Sequence, residues 1–368
     1  MSFSSIVLKA WQGNLLFSAL LELTYRCNLD CYFCYNDLAL RGRPLSKQQY
    51  FDFFEGLRRL GALNVILSGG EPLAHPDFFA LGVRARELGF VTRVKSNGHA
   101  LHGDVARRLK EEVDPFVIEL SLHGATAATH DRQTRVAGSF ERLMRNIVEA
   151  QELGLRLKIN STLTAWNEHE LEDMIALCEG LGIPLQIDPE VSPKDDGDSE
   201  PLSIRASREA VLRLFRIQAE RRLREASEST AFSIEREGDD MLPPASSTES
   251  SATTKHCGAG SATIAVDPFG SVYPCVQWRR AVGNLHELSI EEIWSGSSDL
   301  EEIRRTTEEV KAMIDAQGPG GAMMSFCPGT AAAQTGSPLG LYPAAAARKG
   351  LREHVMAESA KALLPIVE

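Results

Sequence analysis

Between residues 16 and 190 apolar strand-like runs alternate with amphipathic helical ones, and this alternation limits the possible folds more than any other feature. Residues 16–24, 64–67, 91–95, 116–120, 156–162 and 184–187 read as strands, and residues 47–60, 76–88, 104–112, 140–153 and 168–181 as helices. Ser46 is a good cap for the first of these helices, in which Phe51, Phe54 and Leu57 recur at helical spacing. Repeated strand-helix steps mean a parallel sheet with helices on its outside. In such sheets the loops at the carboxyl ends of the strands gather at one mouth, which is where active sites lie.

The chemically unusual residues fall at those strand ends. The first strand leads into Cys27-Asn28-Leu29-Asp30-Cys31-Tyr32-Phe33-Cys34 and the second into Ser68-Gly69-Gly70-Glu71-Pro72. The third ends in Ser96-Asn97-Gly98, the fourth in Ser121-Leu122-His123-Gly124 and the sixth in Asp188-Pro189-Glu190, while the fifth carries Asn160-Ser161-Thr162. Three thiolates in one short CxxxCxxC loop can converge on an inorganic cluster, and a four-iron cubane then keeps one iron free of protein sulfur. A disulfide reading leaves one cysteine unpaired, and a zinc site needs a fourth ligand that the loop lacks.

With Phe33 as the aromatic before the last cysteine, this loop resembles the signature of the radical S-adenosylmethionine (SAM) superfamily. The resemblance implies a partial (β/α)6 TIM-like barrel in which Cys27, Cys31 and Cys34 hold a SAM-binding [4Fe-4S] cluster. It implies that Glu71 of Gly69-Gly70-Glu71-Pro72 binds the SAM amino group and that Phe33 lies against the adenine. Ser96 and Asn97 correspond to a segment along the ribose or methionine part, and Ser121 to a serine near the carboxylate or ribose. Thr134 stands where many relatives have an arginine, which leaves Arg132 and Arg135 as neighbouring cations, with Arg135 assigned to the carboxylate. Asn160 is a further cofactor candidate. His123, His130 and His169 are read as surface or supporting residues and not as ligands.

A second constellation lies late in the chain, where Cys257, Gly270 and Cys275 form Cx12Gx4C and Cys327-Pro328-Gly329 follows a helical insertion. This resembles the SPASM and Twitch auxiliary domains of radical SAM enzymes, as does Gly283-Asn284-Leu285 leading to Ile293-Trp294. Full SPASM domains carry further cysteines for a second auxiliary cluster. With Met324 standing where a CxxC pair would begin, one auxiliary Fe-S cluster on Cys257, Cys275 and Cys327 is expected. Its fourth ligand is open, with His256 and Asp267 as candidates, and a remnant without metal is the alternative. Cys178 sits in an amphipathic helical pattern and reads as a core thiol.

The resulting division is an N-terminal extension (1–15), the barrel (16–190), a linker with an Arg-rich helix and a flexible loop (191–255), the auxiliary domain (256–340) and a C-terminal helix (341–368). The net charge of −11 argues against a general grip on nucleic acid. No signal peptide or membrane span is read in the first residues, and the cysteine usage suits the reducing cytoplasm. The resemblance implies an enzyme that cleaves SAM to a 5′-deoxyadenosyl radical and takes hydrogen from a substrate, with electrons from an external donor such as a flavodoxin or ferredoxin. It makes a ribosomally made peptide the leading substrate, modified by cross-linking, epimerisation or oxidation. With about fifteen residues before the barrel, a fused peptide-recognition domain is not expected there. The alternatives are oxidation of a small molecule or of a Ser or Cys in a sulfatase-like protein, and a non-catalytic iron-sulfur carrier.

Overall fold

The computed structural model describes residues 3–227, 254–318 and 320–362. Of the linker, helix and flexible loop expected over 191–255, residues 228–253 lie outside the described residues.

The extension before the barrel is a helix, α1 (Phe3–Gly13), whose Val7, Leu8 and Trp11 pack on Phe17 and Ala262. The chain then alternates β1 (Ser18–Glu22), α2 (Lys47–Arg59), β2 (Asn64–Ser68), α3 (Phe78–Glu87), β3 (Val91–Ser96), α4 (Gly103–Arg108) and β4 (Val117–Ser121). It continues through α5 (Ala127–Thr134), α6 (Ser139–Glu152), β5 (Leu157–Thr162), α7 (Leu171–Leu181), β6 (Leu185–Asp188) and α8 (Arg208–Ser227). Ser46 closes a full capping box with Gln49 at the start of α2. Helix α4 passes into a π-helical turn, Leu109–Val113, which ends at Asp114 in the left-handed region. Helix α5 went unread in the sequence because it is short and polar. Its start is held by the Glu170 carboxylate, which accepts from Ala125 N, Thr126 N, Thr126 Oγ1 and Thr129 Oγ1.

Six strands run parallel in the order β6-β5-β4-β3-β2-β1. One face of the sheet is apolar: Leu21, Val65, Leu67, Val94, Ile118, Leu120 and Ile159 join Phe54, Leu57, Phe78, Leu81 and Leu143 of the helices in a single buried core. Cys178 is buried in the same cluster, as a core thiol should be. Residues one position away on each strand face the lumen, because side chains alternate along a strand.

The late segment continues this sheet. Strand β7 (Thr263–Val266) pairs parallel with β1, and β8 (Ser271–Tyr273) and β9 (Gly283–Asn284) add antiparallel strands beyond it. Helices α9 (Ile290–Gly296), α10 (Ser298–Asp315), α11 (Pro328–Thr335) and α12 (Pro343–Ala362) follow. Leu351 and Val355 of α12 pack with Leu214 and Phe215 of α8, while Arg348 ion-pairs with Glu190 and donates to Met324 O.

A buried ion network joins the two parts. Glu22, with a fully buried side chain at the end of β1, accepts Arg279 in two bonds of 2.9 and 2.7 Å and the Tyr25 hydroxyl at 2.9 Å. Arg279 also meets Asp195 at 2.9 Å, and Asp195 N donates to Tyr35 O. The polar stretch after β6, read as a linker, is therefore fastened to the cysteine loop and to the late segment. Removing one partner of such a pair strands a buried charge, so Arg279→Met is expected to lose about 3–5 kcal/mol of stability in urea unfolding. A loss below about 1 kcal/mol would mean that water screens the pair as at a surface.

Candidate active site at the barrel mouth

The cysteine loop is seated on three neighbouring strand ends. Gly70 N donates to Thr24 O at 2.7 Å and Glu71 N to Arg26 O at 2.9 Å, while Asn36 Nδ2 reaches Gly69 O. The backbones approach so closely that a Cβ at Gly69 would lie 2.4 Å from Thr24 O and one at Gly70 2.6 Å from Arg26 O. Gly69 also has φ +134, a conformation that L side chains avoid. On the β3 side Asn97 Nδ2 donates to Asn28 Oδ1 at 2.8 Å and approaches Cys27 Sγ at 3.7 Å. On the β4 side Asp30 N and Tyr32 N donate to the carbonyls of Thr134 and Gln133 at the end of α5.

Backbone N–H groups serve the sulfurs. Leu29 N lies 3.4 Å from Cys27 Sγ, and Asn36 N points at Cys34. The Cys31 and Cys34 thiols also act on each other and on Cys27 electrostatically. Burial pushes all three thiols up, Cys34 to about 11, so each keeps its proton until a metal cation reverses the balance. Loop sulfurs bonded by their own backbone amides suit thiolate ligands, and three of them suit a cubane with one open iron.

Glu71 is the best-held polar group at the mouth. Its carboxylate accepts from Leu73 N, Asn97 N and Ser96 Oγ at 2.8–3.1 Å, yet burial still raises it to about 7. Ser96 therefore holds Glu71 in place, and Asn97 braces the cysteine loop. Glu71 and Cys27 line a cleft of about 580 Å3 with Arg26, Asn28, His99 and Arg142. Phe33 meets the His123 ring edge-on at 4.6 Å. His123 and His130 are buried and not on the surface, and burial holds both down, to about 3 and about 4, so they are neutral. His169 is exposed.

Ser121 and Asn160 are register partners on β4 and β5. Asn160 Nδ2 donates to Glu119, while its buried Oδ1 has no hydrogen-bond partner. Arg135 is engaged elsewhere: its guanidinium pairs with exposed Asp30 at 3.4 Å and lies 4.5 Å over the Tyr32 ring. Arg132 lies over Trp166, and Thr134 is locked to Ser139 Oγ at 2.6 Å.

The late cysteines form a second group. Cys275 feels both Cys257 and Cys327 electrostatically, and burial raises it and Cys257, the latter to about 12. Ala259 N serves Cys257, Gln277 N and Trp278 N serve Cys275, and Thr330 N lies 3.5 Å from Cys327 Sγ. Helix α11 presses on the same turn, since a Cβ at Gly329 would lie 2.3 Å from Gln277 O. Among the described residues no three His, Cys, Asp or Glu side chains close on one point as around a single ion. Both candidate fourth ligands have other work: His256 Nε2 bonds Phe326 O at 2.7 Å, and Asp267 accepts from Phe269 N, Ser271 N and Tyr273 OH. Met324 sits in an apolar cluster with Val310, Phe326 and Tyr342.

Residues 21–178 match the radical SAM superfamily, and residues 257–316 match the SPASM iron-sulfur cluster-binding domain. Mycofactocin maturase MftC of Mycobacterium ulcerans is 30% identical over 293 residues, covering 77% of this chain and 75% of that protein. This chain belongs to the radical SAM superfamily. The AdoMet-dependent heme synthase of Methanosarcina barkeri is 28% identical over 300 residues, 79% of this chain and 85% of that protein. PqqA peptide cyclase of Ruegeria pomeroyi is 34% identical over 263 residues, 70% of this chain and 66% of that protein. In fold, anSMEcpe with bound AdoMet and Cp18Cys peptide superposes with a TM-score of 0.70 at 18% identity, over 94% of this chain and 98% of that one. The protein is thus a radical SAM enzyme, and its family implies a [4Fe-4S] cluster, SAM and an auxiliary Fe-S cluster.

The sequence reading does not single out several polar residues of this radical SAM enzyme, among them Glu22, Arg93, Lys95 and Glu119 of the barrel and Asp195 and Arg279 beyond it. A signal existed for some of them, since Glu22, Lys95 and Glu119 are charges inside otherwise apolar strand runs. Glu119 is almost fully buried, and burial alone would raise its pKa. Lys95 and Arg93 beside it instead hold it down to about 2. Its folded-state pKa lies below the ordinary 4.5, so its contribution is complete above that value and is lost as pH falls from 4.5 toward about 2. That contribution is on the order of 3 kcal/mol. Glu119→Gln is expected to remove this part of the acid sensitivity, read from urea unfolding at pH 3 and pH 6. An unchanged difference between the two pH values would show that Glu119 does not carry it.

Proposed function

We propose that this radical SAM enzyme modifies a peptide, using the barrel mouth for SAM and the late cysteines for an auxiliary cluster. The observation that carries the SAM part is the joint seating of the three-cysteine loop and Glu71, which sets Cys27 and the Glu71 carboxylate along a single cleft. The peptide part rests on the similarity to PqqA peptide cyclase and to MftC. The similarity to a heme synthase supports a second reading, in which the substrate is a small molecule.

Cys27, Cys31 and Cys34 would hold the [4Fe-4S] cluster, and Cys257, Cys275 and Cys327 the auxiliary one. With one electron from an external donor, the first cluster would supply the reductive cleavage of the SAM S–C5′ bond to methionine and a 5′-deoxyadenosyl radical able to take a hydrogen atom from the substrate. Glu71, already positioned by Ser96 and Asn97, would accept the SAM amino group. Phe33, backed by neutral His123, offers an apolar face to the adenine. Asn160 Oδ1 and Ser121 offer polar contacts to the sugar. Gly69 and Gly70 keep the loop close enough for these groups to act on one ligand. Arg135 would reach the SAM carboxylate only by leaving Asp30. The remaining parts of the reading are an external one-electron donor such as a flavodoxin or ferredoxin, and a place in the cytoplasm. Among the described residues no helix is long and apolar enough to cross a membrane.

The domain limits follow the same division, with 16–190 as the SAM part and 256–340 as the auxiliary part. If these parts act in sequence, Cys275→Ala in folded, reconstituted protein is expected to lose iron, keep SAM binding and still form 5′-deoxyadenosine, but leave unmodified a short peptide encoded beside this chain. Mass spectrometry of that peptide gives the answer. Full modification by a folded variant that has lost this iron would reject the auxiliary role, and wild-type protein that leaves the peptide unchanged would favour the small-molecule reading. For SAM itself, Glu71→Gln keeps the shape and removes the charge, and is expected to weaken binding roughly ten- to a hundredfold. Equilibrium dialysis showing unchanged affinity would return Glu71 to a purely structural role.

A further inference from the structure

The lumen below the mouth carries more positive charge than its own carboxylate accounts for. Lys95, Glu119 and Lys158 are register partners on β3, β4 and β5, so they form one rung across the lumen face. Arg93 stands on β3 two residues earlier. Both Glu119 oxygens face cations: Oε1 ion-pairs with Arg93 at 2.6 Å without a hydrogen bond, and Oε2 meets Asn160 Nδ2 at 2.7 Å and Lys95 Nζ at 3.4 Å. Two cations thus share one anion, while Lys158 is bonded to Gln186.

Neither cation is satisfied by this arrangement. Arg93 Nε is buried without a hydrogen-bond partner. Lys95 has the longest of the Glu119 contacts, and its side chain is 42% exposed, so solvent or a ligand reaches its ammonium. An ammonium has three N–H donors, of which Glu119 takes at most one here. The nearby Glu22 is held in two bonds by Arg279 and is not available to balance the charge. The remaining Lys95 donors are therefore open to the lumen, where an anionic group of a ligand can take them in place of water.

The depth of this rung indicates whose anion that is. Ser121 and Asn160, proposed above for SAM, lie one lumen-facing rung nearer the mouth. Two residues of strand amount to about 7 Å. A group held by Lys95 therefore lies beneath the SAM position, on the side of the lumen where a carbon giving up hydrogen has to be.

We propose that Lys95, supported by Arg93, forms a carboxylate-binding subsite that holds a carboxylate of the substrate below SAM. This rests on the proposed place of SAM and holds for either a peptide or a small-molecule substrate. Recognition is by charge-assisted hydrogen bonds from Lys95 Nζ, with Glu119 keeping the ammonium over the lumen.

The test uses reconstituted, SAM-loaded protein and two probe pairs: N-acetylalanylalanine with its C-terminal amide, and 3-phenylpropionate with its amide, measured by saturation-transfer NMR. The acids are expected to bind the wild type roughly tenfold or more tightly than the amides. Lys95→Arg should keep that preference and Lys95→Met should lose it, with SAM affinity unchanged in both. Lys95→Gln provides the same comparison if Lys95→Met melts early. Absence of an acid preference in the wild type, or its persistence in folded Lys95→Met, would overturn the subsite. A large loss of SAM affinity in Lys95→Met would also overturn it, by assigning Lys95 to the carboxylate of SAM. A preference seen with phenylpropionate and absent with the dipeptide would keep the subsite while counting against the peptide reading.

Discussion

The site depends on the contact between two backbones, where the chain leaving β1 lies directly against the turn leaving β2. Gly70 and Glu71 donate to the carbonyls of Thr24 and Arg26, and neither Gly69 nor Gly70 has room for a side chain. This contact starts the cysteine loop at a fixed height above the sheet and sets Glu71 beside Cys27. The other supports are arranged around it, with Asn97 bracing the loop from β3 and the end of α5 strapping it through Thr134 and Gln133. A radical reaction needs its partners held close and away from water, and rigid backbone contact holds them with less entropy to lose than mobile side chains would.

The same principle extends into the late segment. Strand β7 continues the sheet past β1, so the second group of cysteines is built onto the edge of the barrel. Arg279 secures the junction by binding Glu22 of β1 and Asp195 of the loop after β6. On the far side α12 fixes the approach to Cys327, since the Tyr342 hydroxyl accepts from Cys327 N and also bonds Arg348. Cys327 and the turn of Cys275 are thus tied to elements outside their own turns.

The strand-helix alternation and the cysteine spacings were legible because they are local. Period and spacing survive in the linear order of residues, so the parallel sheet, the mouth loops and Ser46 as a cap could all be read. Partnerships set by tertiary packing were not. Nothing near Arg135 in sequence shows that it turns to Asp30 and Tyr32, or that Thr134 is closed off by Ser139. For His123 and His130 the sequence leaves surface and supporting places open, because a polar residue in a strand-end loop gives no sign that neighbouring elements will bury it; burial selects the supporting place. The continuation of the sheet through β7 was hidden for the same reason: its partner β1 lies more than two hundred residues earlier in the chain.

The most direct test of the account is the loss of the first thiol set alone. Anaerobic reconstitution of the Cys27→Ala, Cys31→Ala, Cys34→Ala protein should yield about four fewer irons per chain than the wild type. The EPR signal perturbed by SAM should be absent and no 5′-deoxyadenosine should form, while iron bound by the late cysteines remains. SAM cleavage at the wild-type rate by this variant would contradict the account.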